Sequence, residues 1–312
     1  MFLMLVAMSI DLYAGDWVNT SNRSWHPTSF LEGSIGRLTS KLIRVGRADK
    51  TLSIRGSVTT FIVLGICGTA GILIHHLSGN TPLFWAVELW LVLALIDIRR
   101  TWQNALLLAN GMERDGLPGA RLLLPKLSDR DPFYADVHEV ARTAIESIAF
   151  LFVFRVIGPV LSYLLLGLGG LYGYYTLYVL HKGAKNSEPF HRVGEWMYSA
   201  LHRLFSVLGG LVLLMAALTI LEVRSYDALT KYCHHLRRAR GSGNKSTVAV
   251  MAGGLGLSLG GPRTYVTGIV AHPWVGEGKA NADAGDICVA AKLFLRGCLI
   301  VYCFVAICVV LF

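Results

Sequence analysis

Long apolar runs alternate with polar, cation-rich segments along most of this chain, and the lengths of the runs predict helices that cross a bilayer. Residues 59–77 and 82–98 are two such runs joined by an uncharged tip, which predicts a helical hairpin. Residues 204–221 and 294–312 are two more, the last flanked by Lys292 and Arg296. The apolar stretch 145–180 has room for one crossing or two, and flanking charge decides between them. Lys and Arg number six in 36–58, seven in 98–143, four in 181–203 and eight in 222–288. Cytoplasmic loops carry the excess of these residues, so a single crossing over 145–167 is expected, with the three richest loops inside. Tyr172, Tyr174, Tyr175 and Tyr178 then form an interfacial belt, and Arg155, Gly158 and Pro159 predict a kink with a cation facing protein or water. The expected fold class is an all-α integral membrane protein with about five transmembrane helices, cytoplasmic loops and a glycine-rich C-terminal loop.

Composition agrees with that class. Of 312 residues, 54% are hydrophobic and only 16% charged, which leaves too little polar surface for an ordinary soluble domain. One membrane domain over 1–312 is expected, with cytoplasmic loops at about 36–58, 99–143 and 222–288 and no internal repeat. The net charge of +9 raises nucleic acid as a partner, but the basic residues sit between apolar runs, as the orientation rule for membrane proteins produces, so no nucleic acid is expected. The six cysteines contain no CxxC pair, and Cys298, Cys303 and Cys308 lie within the last apolar run, so no disulfide framework is implied. Residues 1–10 are apolar but short and lack a basic leader, and are read as retained structure.

The most distinctive stretch is 251–276, MAGGLGLSLGGPRTYVTGIVAHPWVG, whose seven glycines and two prolines predict a shaped loop throughout. Met251, Leu255, Leu257 and Leu259 interleave with the glycines, so the loop is expected to pack on an apolar surface or to dip into the headgroup layer. It has no GxxxxGK[ST] and no GxGxxG between a strand and a helix, so the residues alone leave a ligand loop and a packing loop both open. Near the N-terminus, Asp11, Asp16, His26 and Glu32 fit a polar site at the membrane surface, or a turn cap beside an exposed histidine. Glu88 stands inside an apolar run and requires a partner. Residues 222–240 predict a basic helical stem; its adjacent Cys233, His234 and His235 point in different directions on a helix and make no metal site. Asp283 and Asp286 suit the N-terminus of the last helix as capping acids.

Gly254, Leu255, Gly256, Leu259, Gly260, Gly261, Pro262, Tyr265, Pro273, Trp274, Gly276, Asp286 and Ile287, taken in order, resemble the C-terminal signature of the CobD/CbiB family of cobalamin-biosynthesis membrane proteins. Asp11, Gly15, Asp16, His26, Pro27, Gly36, Arg37 and Leu38 are similar to its N-terminal pattern. Val87 with Glu88 and Arg130 with Asp131 also match in context, and Glu146 takes the first place of a central acidic motif. The likeness runs from about residue 10 to 290 and departs in the middle. There 147–151, Phe154 and Arg155 replace a second acid, an amide and an aspartate, and only Arg203 and Leu204 remain of a later polar stretch.

The resemblance implies ATP-dependent amide formation joining an aminopropanol-type amine to adenosylcobyric acid, in a multi-pass protein of the cell (inner) membrane. Its implied catalytic residues are Asp16, Glu146, Asp131 and Arg130, with Arg37 a further phosphate or carboxylate contact. Its implied substrate-binding residues are Asp11, His26, Gly260, Gly261, Pro262, Tyr265, Trp274 and Gly276, the glycine loop and Trp274 taking the flat corrinoid. ATP and Mg²⁺ are implied alongside, with no protein metal site assigned. The lost central acids keep a second class open, a non-catalytic AmpE-like sensor or assembly partner with a membrane protein as its partner. A small-solute transporter is a third, suggested by Glu88 and Arg155 at membrane depth.

Overall fold

The computed structural model describes residues 1–18, 26–43, 49–79, 81–183, 188–238, 245–265 and 268–311. In chain order its helices are α1 (Phe2–Val18), α2 (Pro27–Leu42), α3 (Asp49–Ser78), α4 (Pro82–Leu93), α5 (Ile98–Leu123), α6 (Val137–Leu151), α7 (Gly158–Gly183), α8 (Glu188–Ala217), α9 (Ser225–Arg238), α10 (Ser246–Leu255) and α11 (Ala284–Leu311). The strands are short: β1 (Leu259–Gly260), β2 (Arg263–Tyr265), β3 (Gly268–Val270) and β4 (Trp274–Val275). The protein is therefore all-α, as its apolar runs predict. Among the described residues, Asp49–Ser78, Val137–Gly183, Pro189–Ala217 and Ala284–Leu311 are long and apolar enough to cross a membrane. The run at 82–98 is helical only over the 12 residues of α4, short of the ~20 that a bilayer requires.

The chain forms two compact units, one of Met1–Asp97, Gly158–His202 and the C-terminal end, the other of Ile98–Ile157 and Arg203–Val310. In the first, α3 packs along the second half of α7. At Gly167 (φ 62, ψ −152) the chain doubles back, a backbone conformation that essentially only glycine adopts. The reversal is tight: a Cβ on Gly170 would lie 2.6 Å from the Ser162 carbonyl oxygen, and Gly158 sits against the Tyr174 ring. The residues beyond the expected crossing over 145–167 thus form a second helix packed against α3. Its tyrosines face protein: Tyr174 and Tyr175 are buried, Tyr174 stacks on Tyr198 at 6.0 Å, and Tyr175 donates to Glu32 Oε1 at 2.6 Å. Gly71 meets the backbone of Gly169, Cys67 Sγ lies 3.4 Å from Thr176 Oγ1, and Val63 packs with Leu180, so this helix runs antiparallel to α3.

The buried Glu88 of α4 has the partners its position demands. Its carboxylate accepts from Ser78 Oγ at 2.6 Å and Tyr163 Oη at 2.8 Å, with His75 Nδ1 at 3.2 Å, tying α3, α4 and α7 together.

In the second unit α6 is capped by Asp136, which accepts the Glu139 N–H, and runs into a π-helical turn at Phe152–Ile157. Pro159 lacks an N–H and crowds the Arg155 carbonyl, so the chain widens there, where the sequence predicts a kink. The Arg155 guanidinium lies 5.0 Å from the centre of the Phe154 ring. Residues 251–255, expected as loop, instead complete α10. Gly253 is helical because α10 meets the backbone of α9 there, a Cβ falling 2.5 Å from the Asp227 carbonyl oxygen, while the Gly254 carbonyl accepts the Arg224 N–H at 2.8 Å. Close packing of this kind overrides glycine's weak helix propensity.

Candidate functional site

The glycine-rich segment becomes a loop at Gly256, whose left-handed backbone (φ 65) ends α10. Leu257 and Leu259 are buried beneath it, so the interleaved leucines do pack on an apolar surface. The loop then doubles on itself twice. Leu259 and Gly260 pair with Val275 and Trp274, and inside that pair Arg263 to Tyr265 pair with Val270 to Gly268. Gly260 (φ 82) and Gly261 (φ 74) make the crossover, and Trp274 lies so close to Gly261 that a side chain there would strike its ring.

This fold of the loop is fastened to α6 through Glu146. Glu146 is buried; its Oε1 accepts the Gly260 N–H at 2.7 Å and its Oε2 accepts from the Arg263 guanidinium at 2.7 Å. Arg130, from the segment before α6, approaches the same Oε2 at 3.5 Å. Four residues earlier on the same helical face, Arg142 donates to the Ala280 carbonyl at 2.6 Å, and its guanidinium carbon sits 5.5 Å from the centre of the Trp274 ring.

Two more groups belong to the cluster electrostatically. Burial pushes the Lys245 ammonium below its ordinary value; the Glu146 carboxylate opposes this, and the Arg263 and Arg130 cations add to it. Partial burial, then the cations of Arg263, Lys245 and Arg130, lower His272 in turn, against the smaller pull of Glu146. One carboxylate therefore faces three cations, and the surplus positive charge lies beside the indole of Trp274, which is 46% exposed. Such a place suits an anionic group carried on a broad apolar body.

Of the residues singled out in the sequence, Glu146, Arg130, Gly260, Gly261 and Trp274 come together here. Pro262 is exposed at the crossover, and Gly276 (φ 96) lets β4 pass close over Ala252. Tyr265 lies in β2, its side chain outside the described residues. Asp131 is exposed and its Oδ1 accepts the Phe133 N–H at 3.0 Å, so it shapes a turn there. Asp11 and His26 belong to the other unit: Asp11 is buried in α1, and His26 precedes α2 with Nδ1 2.6 Å from Thr28 Oγ1. Asp16 lies in α1, its side chain outside the described residues.

Sequence reading misses Arg263, Lys245, Arg142 and His272. Arg142 carries a signal, standing four positions before Glu146 on a helix; the others reach the cluster only through the folding of the loop. Asp283 and Asp286 take their expected roles as reciprocal caps of α11: the Asp286 N–H donates to Asp283 Oδ1 and the Asp283 N–H to Asp286 Oδ2, each at 3.0 Å.

The family model described as CobD/Cbib protein matches residues 4–294. A protein of Sinorhizobium sp named "Cobalamin biosynthesis protein CobD" is 30% identical over 314 residues, covering 98% of this chain and 97% of its own length. Proteins of the same name from Sinorhizobium fredii and Klebsiella pneumoniae are 30% and 28% identical, covering 95% and 90% of this chain and 93% and 89% of their own lengths. No solved structure matches the chain.

Proposed function

Since the chain belongs to the CobD/CbiB family, we propose that it acts in cobalamin biosynthesis, joining an aminopropanol-type amine to a propionate of adenosylcobyric acid at the expense of ATP in the cell (inner) membrane. The observation that carries this reading is the cation-rich cradle at the glycine loop, where Arg263 and Arg130 approach the single carboxylate of Glu146, Lys245 adds its charge, and the Trp274 indole is exposed.

The chemistry asks for that arrangement. A carboxylate is a poor electrophile until one of its oxygens becomes a leaving group, and transfer of a phosphoryl group from ATP accomplishes this. The amine nitrogen then forms the C–N bond as the C–O bond breaks and phosphate departs with the electron pair. Each stage develops negative charge on oxygen, and preorganised cations stabilise it best in a partly water-excluded site. Arg263 and Arg130 serve this role, already oriented by Glu146, and Lys245 adds its charge. Trp274, backed by Arg142 and held close to Gly261, offers an exposed indole to the flat corrinoid.

No group of three or more His, Cys, Asp or Glu side chains suited to a metal is present among the described residues, and Glu146 is already engaged by Gly260 and Arg263. In this reading Mg²⁺ accompanies the nucleotide's phosphates, and no step is assigned to it on the protein.

Complementation tests the proposal. A cell lacking its cobinamide-forming enzyme, supplied with cobyric acid, is expected to grow when given this chain and to lose that growth with Arg263→Gln. Failure of the wild-type chain to rescue, despite normal insertion and abundance, would overturn the reading.

A further inference from the structure

The attacking amine arrives as an ammonium ion, and its nitrogen becomes a nucleophile only after losing a proton. The amide-forming reading, on which this inference rests, therefore requires a proton acceptor within a site otherwise crowded with cations. Arginine holds its own proton, the Glu146 carboxylate favours the charged form of Lys245, and Glu146 itself is committed to Gly260 and Arg263. Backbone register singles out one further group. Gly260, bonded to Glu146, pairs with Trp274, and Arg263, also bonded to Glu146, pairs with Val270. His272 lies midway between those two rungs, opposite the Gly261 and Pro262 crossover, and is half-exposed.

We propose that His272 takes the proton from the ammonium of the amine substrate, freeing the nitrogen lone pair to attack the activated carboxyl carbon while the imidazole becomes imidazolium. The charged groups facing it are Arg263 of β2, Lys245 at the start of α10, Arg130 before α6 and Glu146 of α6. Partial burial first, then the three cations, disfavour a protonated ring against the smaller pull of Glu146, which favours the neutral imidazole. A neutral imidazole beside an anion-binding cradle is the state a general base needs.

The test uses the purified full-length chain in lipid nanodiscs with adenosylcobyric acid, ATP and an aminopropanol, following amide formation from pH 5 to 9. The wild-type profile is expected to rise through an acid limb lying below the ordinary histidine value of about 6.5. His272→Gln is expected to lose on the order of 10²-fold in kcat at neutral pH, with the KM for the corrinoid retained, and to regain rate toward alkaline pH as free amine accumulates. Added imidazole should restore part of the loss. Corrinoid binding by the variant verifies that it is folded; a variant that fails to bind is replaced by His272→Asn. An active wild type whose kcat and acid limb are unchanged in the variant would overturn the role of His272 alone. A wild type that forms no amide while binding its lipids and folding normally would overturn the amide-forming reading, and this inference with it.

Discussion

Glu146 shows how one side chain sets the state of its neighbours. Its two oxygens hold a backbone N–H and a guanidinium at 2.7 Å each, with a second guanidinium at 3.5 Å, and Lys245 feels its charge. Glu146→Gln keeps an oxygen for the Gly260 N–H but removes the negative charge, leaving three cations to repel one another at a partly buried position. Breaking one side of a buried pair costs about 3 kcal/mol, so the variant's unfolding in detergent should shift by about that amount. Adding Arg263→Gln to it should recover part of the loss, because one repelling cation goes with it. A Glu146→Gln protein as stable as wild type would show that the carboxylate does not hold the cluster together. Glu146 itself is legible in the sequence through the family pattern. The role of Arg263 is not, since it depends on a loop crossover that no periodicity encodes.

At the level of elements, hydropathy locates the helices but does not say where they turn. Residues 145–180 are apolar throughout, and Gly167, Gly169, Gly170 and Gly173 are equivalent as letters; which of them takes the positive φ is decided by how the two halves of α7 pack. The same ambiguity runs in the opposite direction in 251–276. Gly253 and Gly254 read as loop, yet contact with α9 makes them helix, whereas Gly256, Gly260 and Gly261 do carry the backbone of a loop. Gly260 is the element-scale test. With φ at 82 and a Cβ only 2.5 Å from the Pro273 carbonyl oxygen, Gly260→Ala should break the β1–β4 pair while leaving the helices intact. The expected outcome is unchanged far-UV circular dichroism, altered tryptophan emission and lost complementation. The emission change should vanish in a Trp274→Phe background; if it persists there, the substitution acts somewhere other than the β1–β4 pair.

Contacts within the first unit show how 168–183 runs relative to α3, which loop charge does not. Counting Lys and Arg favours one crossing over 145–167 because it places 222–288 on the same side as 36–58. That rule has most force for short loops and near the ends of spans, and 222–288 is a long folded segment. Three of its eight cations also sit in ion pairs, Lys231 with Glu277, Lys279 with Asp286 and Arg263 with Glu146. Contacts within the unit give the opposite arrangement. Gly169 lies against Gly71 near the far end of α3, Thr176 beside Cys67 and Leu180 beside Val63 nearer its start, so 168–183 travels back along α3. At about 1.5 Å per residue, Gly56 to Gly71 covers roughly 22 Å of helix, most of a hydrocarbon core. Lys182 should therefore stand at the same membrane face as Lys50. With the six native cysteines replaced, single cysteines at Lys50 and Lys182 should react with an impermeant maleimide from the same side. Labelling from opposite sides would mean that the chain does not return at Gly167, and the antiparallel pairing of α7 with α3 would fall with it.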